Sequence, residues 1–288
     1  MDKPLVFIPG RKFPSISITG SRCWLNCSYC MGHYLKSMDH VLSPKELYDL
    51  ARYYWKNKAI GMLISGGFTR DGRLPIEPYL PIIKDIKNDF KLIMNLHIGI
   101  VDRKLASNIR YSKIDIVDYE FILDNRVIKD IKHLDRGFDD YIRGYEALVN
   151  YGPDYIVPHI PLGVKYGTID WEYMAIDILS DYDPYLTVFL IFTPTKNTPM
   201  SHVKPPKTSD ILDVIYYGRR RLNGEIALGC MRPWALRCVI DEILIKNRVV
   251  NRIVNTPRKL INKYDLRVIE ACCSVPQSIL SAIGYFID

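Results

Sequence analysis

The chain has 288 residues, 48% of them hydrophobic and 25% charged, with a formal net charge of +7. That length suits two small domains or one large α/β barrel with a sizeable core. No apolar stretch reaches the length of a membrane span, the start at Met1-Asp2-Lys3-Pro4 is unlike a signal peptide, and no nucleic-acid-binding signature is present. A cytoplasmic protein without membrane or nucleic-acid partners is therefore expected. Seven cysteines, an odd number, three of them clustered near the start, do not form a secreted disulfide framework. Metal binding in a reducing compartment fits them better.

In chain order, an alternating strand at 15–18 breaks at Gly20 and leads to Cys23, Cys27 and Cys30. Ser43-Pro44-Lys45-Glu46 has the form of a capping box with proline at the first helical position, and predicts a helix to Lys56. Further strands are expected at 60–65, 91–98, 114–123, 155–164, 185–192, 225–228 and 251–254. Helices are expected between them at 78–88, 103–111, 139–151, 168–181 (capped by Thr168), from Thr208 or Ser209, and at 237–246. A last long helix is expected from Thr256-Pro257. The proline-rich segment 194–207 is a long loop and a candidate lid.

Strand and helix alternate throughout, and the strands are near-continuous apolar runs, as parallel strands covered on both faces should be. The pattern predicts a single α/β domain over 1–288, a (β/α)8 TIM-type barrel, with a partial (β/α)6 barrel plus a C-terminal extension as the alternative. Barrel chemistry sits at the C-terminal ends of the strands. The cysteine loop at 20–33, Gly66-Gly67, Asn95 and His97, Asp118 and Glu120, His159 and Cys230 all fall there.

The spacing Cys23-x-x-x-Cys27-x-x-Cys30 puts three soft thiolates on one loop, one short of the four that saturate a 4Fe–4S cluster. The open iron of such a cluster can bind the amino and carboxylate groups of S-adenosylmethionine (SAM), and Tyr29 is placed to pack on its adenine. A zinc knuckle completed by His33 is the alternative. A second constellation joins Cys230, after the seventh of these strands, to Cys272-Cys273 beyond the eighth. These three can hold a second iron–sulfur cluster, with Arg232 or Ser274 as candidate fourth ligands, or be plain buried thiols. Cys238, on a helix, is expected to be inert. His97, Asp118, Glu120 and His159 are polar residues on apolar strands. They are either hydrogen-bonded core groups or, with Asn95, contacts to a polar cofactor. The excess of Lys and Arg between 216 and 267 is either a solvated helical face or a dock for an acidic partner.

The cysteine motif with Tyr29 resembles the signature of the radical SAM superfamily. Ser65-Gly66-Gly67 resembles that family's second motif, a Gly-Gly turn presenting backbone to the methionine amino group, although Phe68 stands where the family usually has an acid. The stretches 13–20, 64–67, 95–99, 157–160 and 229–233, together with Cys272-Cys273, resemble the biotin-synthase-like branch. Within it they are most similar to the second subunit of the two-protein lipoyl synthases. The resemblance implies a sulfurtransferase that inserts sulfur into an octanoyl chain on a carrier-protein lysine. It implies a 4Fe–4S cluster, SAM and a second cluster as cofactors. It further implies as partners a homologous second subunit, an octanoylated acidic carrier (a lipoyl domain or the glycine-cleavage H protein) and an electron donor such as ferredoxin. The alternatives are another biotin-synthase-like radical enzyme, a methylase or a dehydrogenating enzyme, or a non-catalytic iron–sulfur or zinc module. Phe189 and Ile191 are expected to help line the slot for an octanoyl chain.

Overall fold

Alternating apolar strands and amphipathic helices have one economical solution, a parallel sheet with helices on its outer face. The computed structural model describes residues 2–285. Its strands are β1 (Leu5–Phe7), β2 (Ser15–Ser17), β3 (Asp39–His40), β4 (Gly61–Ser65), β5 (Ile93–Ile98), β6 (Ile116–Glu120), β7 (Tyr155–Leu162), β8 (Leu186–Ile191), β9 (Glu225–Leu228), β10 (Arg252–Val254) and β11 (Val268–Ile269). Its α-helices are α1 (Pro44–Lys56), α2 (Leu80–Phe90), α3 (Arg103–Tyr111), α4 (Phe138–Tyr151), α5 (Glu172–Tyr182), α6 (Thr208–Arg221), α7 (Trp234–Lys246), α8 (Arg258–Tyr264) and α9 (Gln277–Ala282).

Every strand pair is parallel, in the order β11-β1-β10-β9-β8-β7-β6-β5-β4-β2-β3. Consecutive strands β1 and β2 thus stand near opposite ends of the sheet. Laid flat, they would be about 38 Å apart at the usual spacing of about 4.8 Å per strand. The link from Phe7 to Ser15 reaches at most about 28 Å, and part of it is coiled into a helical turn at Gly10–Lys12. The sheet must therefore curl strongly. It forms an α/β partial TIM barrel, and the closed eight-stranded form gives way to the partial-barrel alternative. The edges of β1 are taken by β10 and β11 and those of β2 by β3 and β4, so the two do not pair. β1, β3 and β11, each two or three residues long, are too short to show a period in the sequence.

The outer face packs on the helices. The inner face carries Ile93, Ile116, Val157, Val188, Ala227 and Val254, which pack against the C-terminal residues Ala271, Cys273, Val275 and Leu280. Arg252, 1% exposed, ties that segment into the barrel. Its guanidinium donates to the carbonyls of Cys273 (2.5 Å) and Val275 (2.6 Å) and pairs with Glu225. Tyr185 donates to the Ser274 carbonyl. Arg252, Glu225 and Tyr185 all lie at the starts of their strands, so the segment closes the lower end of the lumen.

Two expected helix boundaries change. The region from Thr256 holds short α8, then β11, and Pro276 precedes α9, so no long terminal helix forms. Thr168 does not cap a helix. Its hydroxyl donates to the Lys165 carbonyl (2.6 Å), closing a turn. The start of α5 is organised by buried Glu172, which accepts from the N–H groups of Gly163 and Asp170 (2.8 Å each). Ser43 does cap α1, accepting from Glu46 N, while the Glu46 carboxylate accepts from Leu42 N.

Burial pushes the Glu172 carboxyl up to about 7. The folded chain therefore holds a proton in the range between 4.5 and 7 that the unfolded chain has released. Stability from this group is expected to rise as the pH falls through 7, and to be lost on going above it. Urea unfolding of wild type and Glu172→Gln at pH 5.5 and 8 should show the wild type gaining on the variant by about 1–3 kcal/mol at the lower pH. An unchanged difference would rule this out.

Candidate active site

β2 runs into the cysteine loop. The Ser17 hydroxyl donates to the Gly20 carbonyl (2.6 Å), and a turn from Cys27 to His33 is held by Cys30 N and Met31 N, both donating to the Cys27 carbonyl (3.0 Å). The chain then bends back through Met31 and Gly32, both at positive φ. The result gathers the thiols. Cys27 is raised by its hydrogen bond to Cys30 and by burial, against the opposing charge of Lys132. Cys30 is lowered, first by accepting that bond and then by the Gly32 N–H. The thiolate form thus costs less at Cys30 than at an ordinary cysteine, and a bound metal would displace the remaining protons. Among the described residues, no three Cys, His, Asp or Glu side chains converge on a point fit for one metal ion. Zinc asks for such convergence, with donors about 2.3 Å or less from one centre. A cluster several ångström across does not.

The Gly-Gly turn after β4 meets this loop closely. A Cβ on Gly67 would stand 1.9 Å from the Arg22 carbonyl oxygen and 2.5 Å from the Cys23 Cα. Gly67 N donates to Thr19 Oγ1 (2.6 Å), and Phe68 N donates to Cys23 Sγ (3.4 Å). The Phe68 ring lies 6.2 Å from that of His97.

Ser65, His97, Glu120 and His159 come from the C-terminal ends of β4 to β7 and form an upper layer of the lumen. Ser65 Oγ and His97 Nδ1 are 3.1 Å apart. The His97 and His159 rings are 6.4 Å apart. Burial, and then His159, hold the pKa of His97 below the ordinary imidazole value, so its ring is neutral at pH 7. Glu120 pairs with Lys132, which is 2% exposed. Lys132 also influences Cys27 and faces the Tyr141 ring at 5.7 Å. The buried Tyr29 phenol is raised by burial and then by Glu120.

Sequence reasoning missed Lys132 and His133. They follow a π-helical turn (Val127–Ile131), a local form that recurs at functional sites. The His133 ring bonds the Leu25 carbonyl (3.0 Å) and Ser28 Oγ (3.1 Å), so this turn buttresses the cysteine loop. The signal was faint: a lysine beside Val127, Ile128 and Ile131 at helical spacing, with nothing local to show that it turns inward.

Asn95 and Asp118 share faces with His97 and Glu120, as expected, but lie one layer deeper. Asn95 Nδ2 donates to Asp118 Oδ2 (2.9 Å) and to Cys272 Sγ (3.4 Å). Cys272 and Cys273 interact with each other, and both act on Cys230 or are acted on by it. Cys230 is open to solvent, yet burial is the first cause raising its thiol, as on the wall of a concavity. The second cysteine constellation is therefore brought together. Arg232 is not free to join it, because it bonds Asp241 through two nitrogens (2.9 and 2.7 Å) and the Gly229 carbonyl (2.6 Å). Ser274 Oγ has no partner.

Three further expectations change. Phe189 packs outward, against the helix layer that contains Gly218, and Ile191 belongs to the same outer cluster. The inward residues of β8 are Val188 and Leu190. The segment 194–207 is docked on the cysteine loop, Met200 N donating to the Ser28 carbonyl (3.1 Å) and Tyr34 meeting Thr195 (2.9 Å). In the basic C-terminal third, Arg219, Arg221, Arg252 and Lys263 are engaged within the chain.

Two substitutions test this geometry. Gly67→Ala should push the cysteine loop outward and cut the iron retained after anaerobic reconstitution by at least half, while Gly66→Ala, whose Cβ meets only movable side-chain atoms at 3.0 Å or more, should cost less. Lys132→Met should destabilise by about 3 kcal/mol in urea unfolding because it strands buried Glu120, and Lys132→Met/Glu120→Gln should recover most of that loss. Equal iron in both glycine variants, or no recovery in the double variant, would refute the respective account.

No family model and no curated protein matches the sequence. Solved structures do match. HydG, a maturase of the FeFe-hydrogenase, aligns over 97% of this chain and 66% of its own, with TM-score 0.69 at 12% identity. Methylornithine synthase (PylB) aligns over 97% and 86%, with TM-score 0.62 at 12% identity. Streptococcus suis SuiB, solved with S-adenosylmethionine, aligns over 98% and 56%, with TM-score 0.52 at 14% identity. The chain thus spans just under two thirds of HydG. What the likeness shows is the fold alone: an α/β partial TIM barrel shared with these three proteins.

Proposed function

We propose that this chain is a radical SAM enzyme that inserts sulfur into an octanoyl chain on a carrier-protein lysine, as one half of a split lipoyl synthase. A 4Fe–4S cluster with bound SAM would supply a 5′-deoxyadenosyl radical, which can take hydrogen from carbon that no acid or base can activate. Cys23, Cys27 and Cys30 are the residues suited to hold the cluster, with the Cys30 thiol held below its ordinary pKa by the bond it accepts from Cys27. Backbone at Ser65, Gly66 and Gly67, close to Cys23, suits the methionine amino group. The Glu120–Lys132 pair offers charge to the polar parts of SAM, Tyr29 offers a ring for its adenine, and the His97 and His159 rings line the pocket. Val188 and Leu190 offer apolar wall for an acyl chain.

The observation that carries the sulfur-insertion reading is the meeting of Cys230, Cys272 and Cys273 inside the barrel, next to orphaned buried polar atoms of Asn95, Asp118 and Ser274. That donor set suits a second iron–sulfur cluster able to give up sulfide. The homologous second subunit, an acidic octanoylated carrier and a ferredoxin-type donor are the partners this reading requires.

The reconstituted chain should be assayed anaerobically with SAM, a reductant and an octanoyl-lysine peptide, with and without the second subunit. Expected are 5′-deoxyadenosine and a product carrying added sulfur by mass spectrometry. Cys272→Ala/Cys273→Ala should still form 5′-deoxyadenosine but lose the sulfur product by at least 100-fold. Deoxyadenosine with no sulfur product under any pairing would turn the reading to another biotin-synthase-like reaction.

A further inference from the structure

The deeper layer contains a buried carboxyl group with no ionic partner among the described residues. Asp118 is 4% exposed. One carboxylate oxygen accepts from Asn95 Nδ2 at 2.9 Å, and the other, Oδ1, has no hydrogen-bond partner. Among the described residues it forms no ion pair. Lys132, the buried cation of the upper layer, is taken by Glu120, and Arg252 is taken by Glu225 and two carbonyls. Arg232 is taken by Asp241. A buried carboxylate without a counter-charge costs several kcal/mol, far more than a neutral orphan such as Ser274 Oγ, whose cost is about 1–3 kcal/mol. Such a group persists where a cation or a metal completes it.

The surroundings say which. The amide that holds Asp118 is the amide that holds Cys272, through its second N–H at 3.4 Å. Cys230 and Cys273 both feel the Asp118 charge. The Asp118 carboxyl and the Cys272 thiol therefore meet at one amide, and Cys230 and Cys273 lie within electrostatic reach of both. Three cysteines leave one iron of a 4Fe–4S cluster without a protein ligand. An oxygen donor is a harder ligand than thiolate, binds iron less firmly, and is easily exchanged.

Building on the second-cluster reading above, we infer that Asp118 is the fourth protein ligand of an auxiliary iron–sulfur cluster held by Cys230, Cys272 and Cys273, and that Asn95 is the positioning residue that aims both Asp118 and Cys272. Asp118 then does not belong with Glu120 among the SAM contacts, although the two share a strand face. A carboxylate would hold its iron less firmly than the thiolates hold theirs, so the iron at Asp118 would be the first to leave on oxidation.

The test uses the full chain with Cys23→Ala/Cys27→Ala/Cys30→Ala, which removes the first cluster. Anaerobic reconstitution with iron-57 should leave about four irons and four sulfides per chain. The Mössbauer spectrum should show one iron distinct from the other three. Adding Asp118→Ala should abolish that distinct site and, on mild oxidation, yield a three-iron cluster at least five times faster. Asp118→Asn, which keeps the shape, should behave like Asp118→Ala, and Asp118→Cys should restore four-iron retention with all irons alike. Ser274→Ala should leave the spectrum unchanged. Asn95→Ala should weaken the distinct site without removing it. A spectrum and oxidation rate indifferent to Asp118→Asn would overturn the ligand assignment while leaving the second cluster standing. No iron in the triple variant would overturn both.

Discussion

Everything in this molecule depends on a short piece of chain being asked to span a wide sheet. The residues between β1 and β2 cannot reach across eight strand spacings unless the sheet bends until its ends approach. The curl makes a lumen, and the lumen makes the chemistry. Only because the sheet curves can a residue on β5 touch a thiol that follows β11, as Asn95 touches Cys272. Only because the strands are parallel do their C-terminal ends, and the groups they carry, gather at one mouth.

The lumen is used at two depths. At the mouth, the cysteine loop leans on Gly67 and on the turn that carries Lys132 and His133. Below it, the C-terminal segment enters from the opposite end, anchored by Arg252. Two-residue alternation along β5 and β6 serves both levels at once, His97 and Glu120 above, Asn95 and Asp118 below. A strand face can therefore address two different groups without any change of backbone.

Much of this was legible in the sequence. The cysteine spacing, the Gly-Gly turn and the polar residues on apolar strands are local signals, and eight strands and most helices follow from period and caps. What could not be read is non-local. The three extra strands have two or three residues each; β1 and β11 acquire their form from neighbours some 250 positions away, as Leu5 does from Arg252, and β3 from β2 across the cysteine loop. Nothing beside Arg232 announces that Asp241 will occupy it, and nothing beside Lys132 announces Glu120. The choice of Phe189 and Ile191 over Val188 and Leu190 fell to the wrong face because a strand buried on both sides shows no alternation from which to read direction.

The pairing of β1 with β10 and β11 has a consequence for the order of events in the cell. β1 is made first, and its partners are made last. Contacts of such long sequence separation form slowly, because the loop they close is nearly the whole chain. Most of the buttressing of the cysteine loop, by contrast, comes from β2, β4 and the segment to His133, all in the first half of the molecule, and segment 194–207 docks on it afterwards. The upper thiols can be arranged while the floor of the barrel is still open, and the lower thiols arrive with the segment that seals it. Time, as well as depth, separates the two sites.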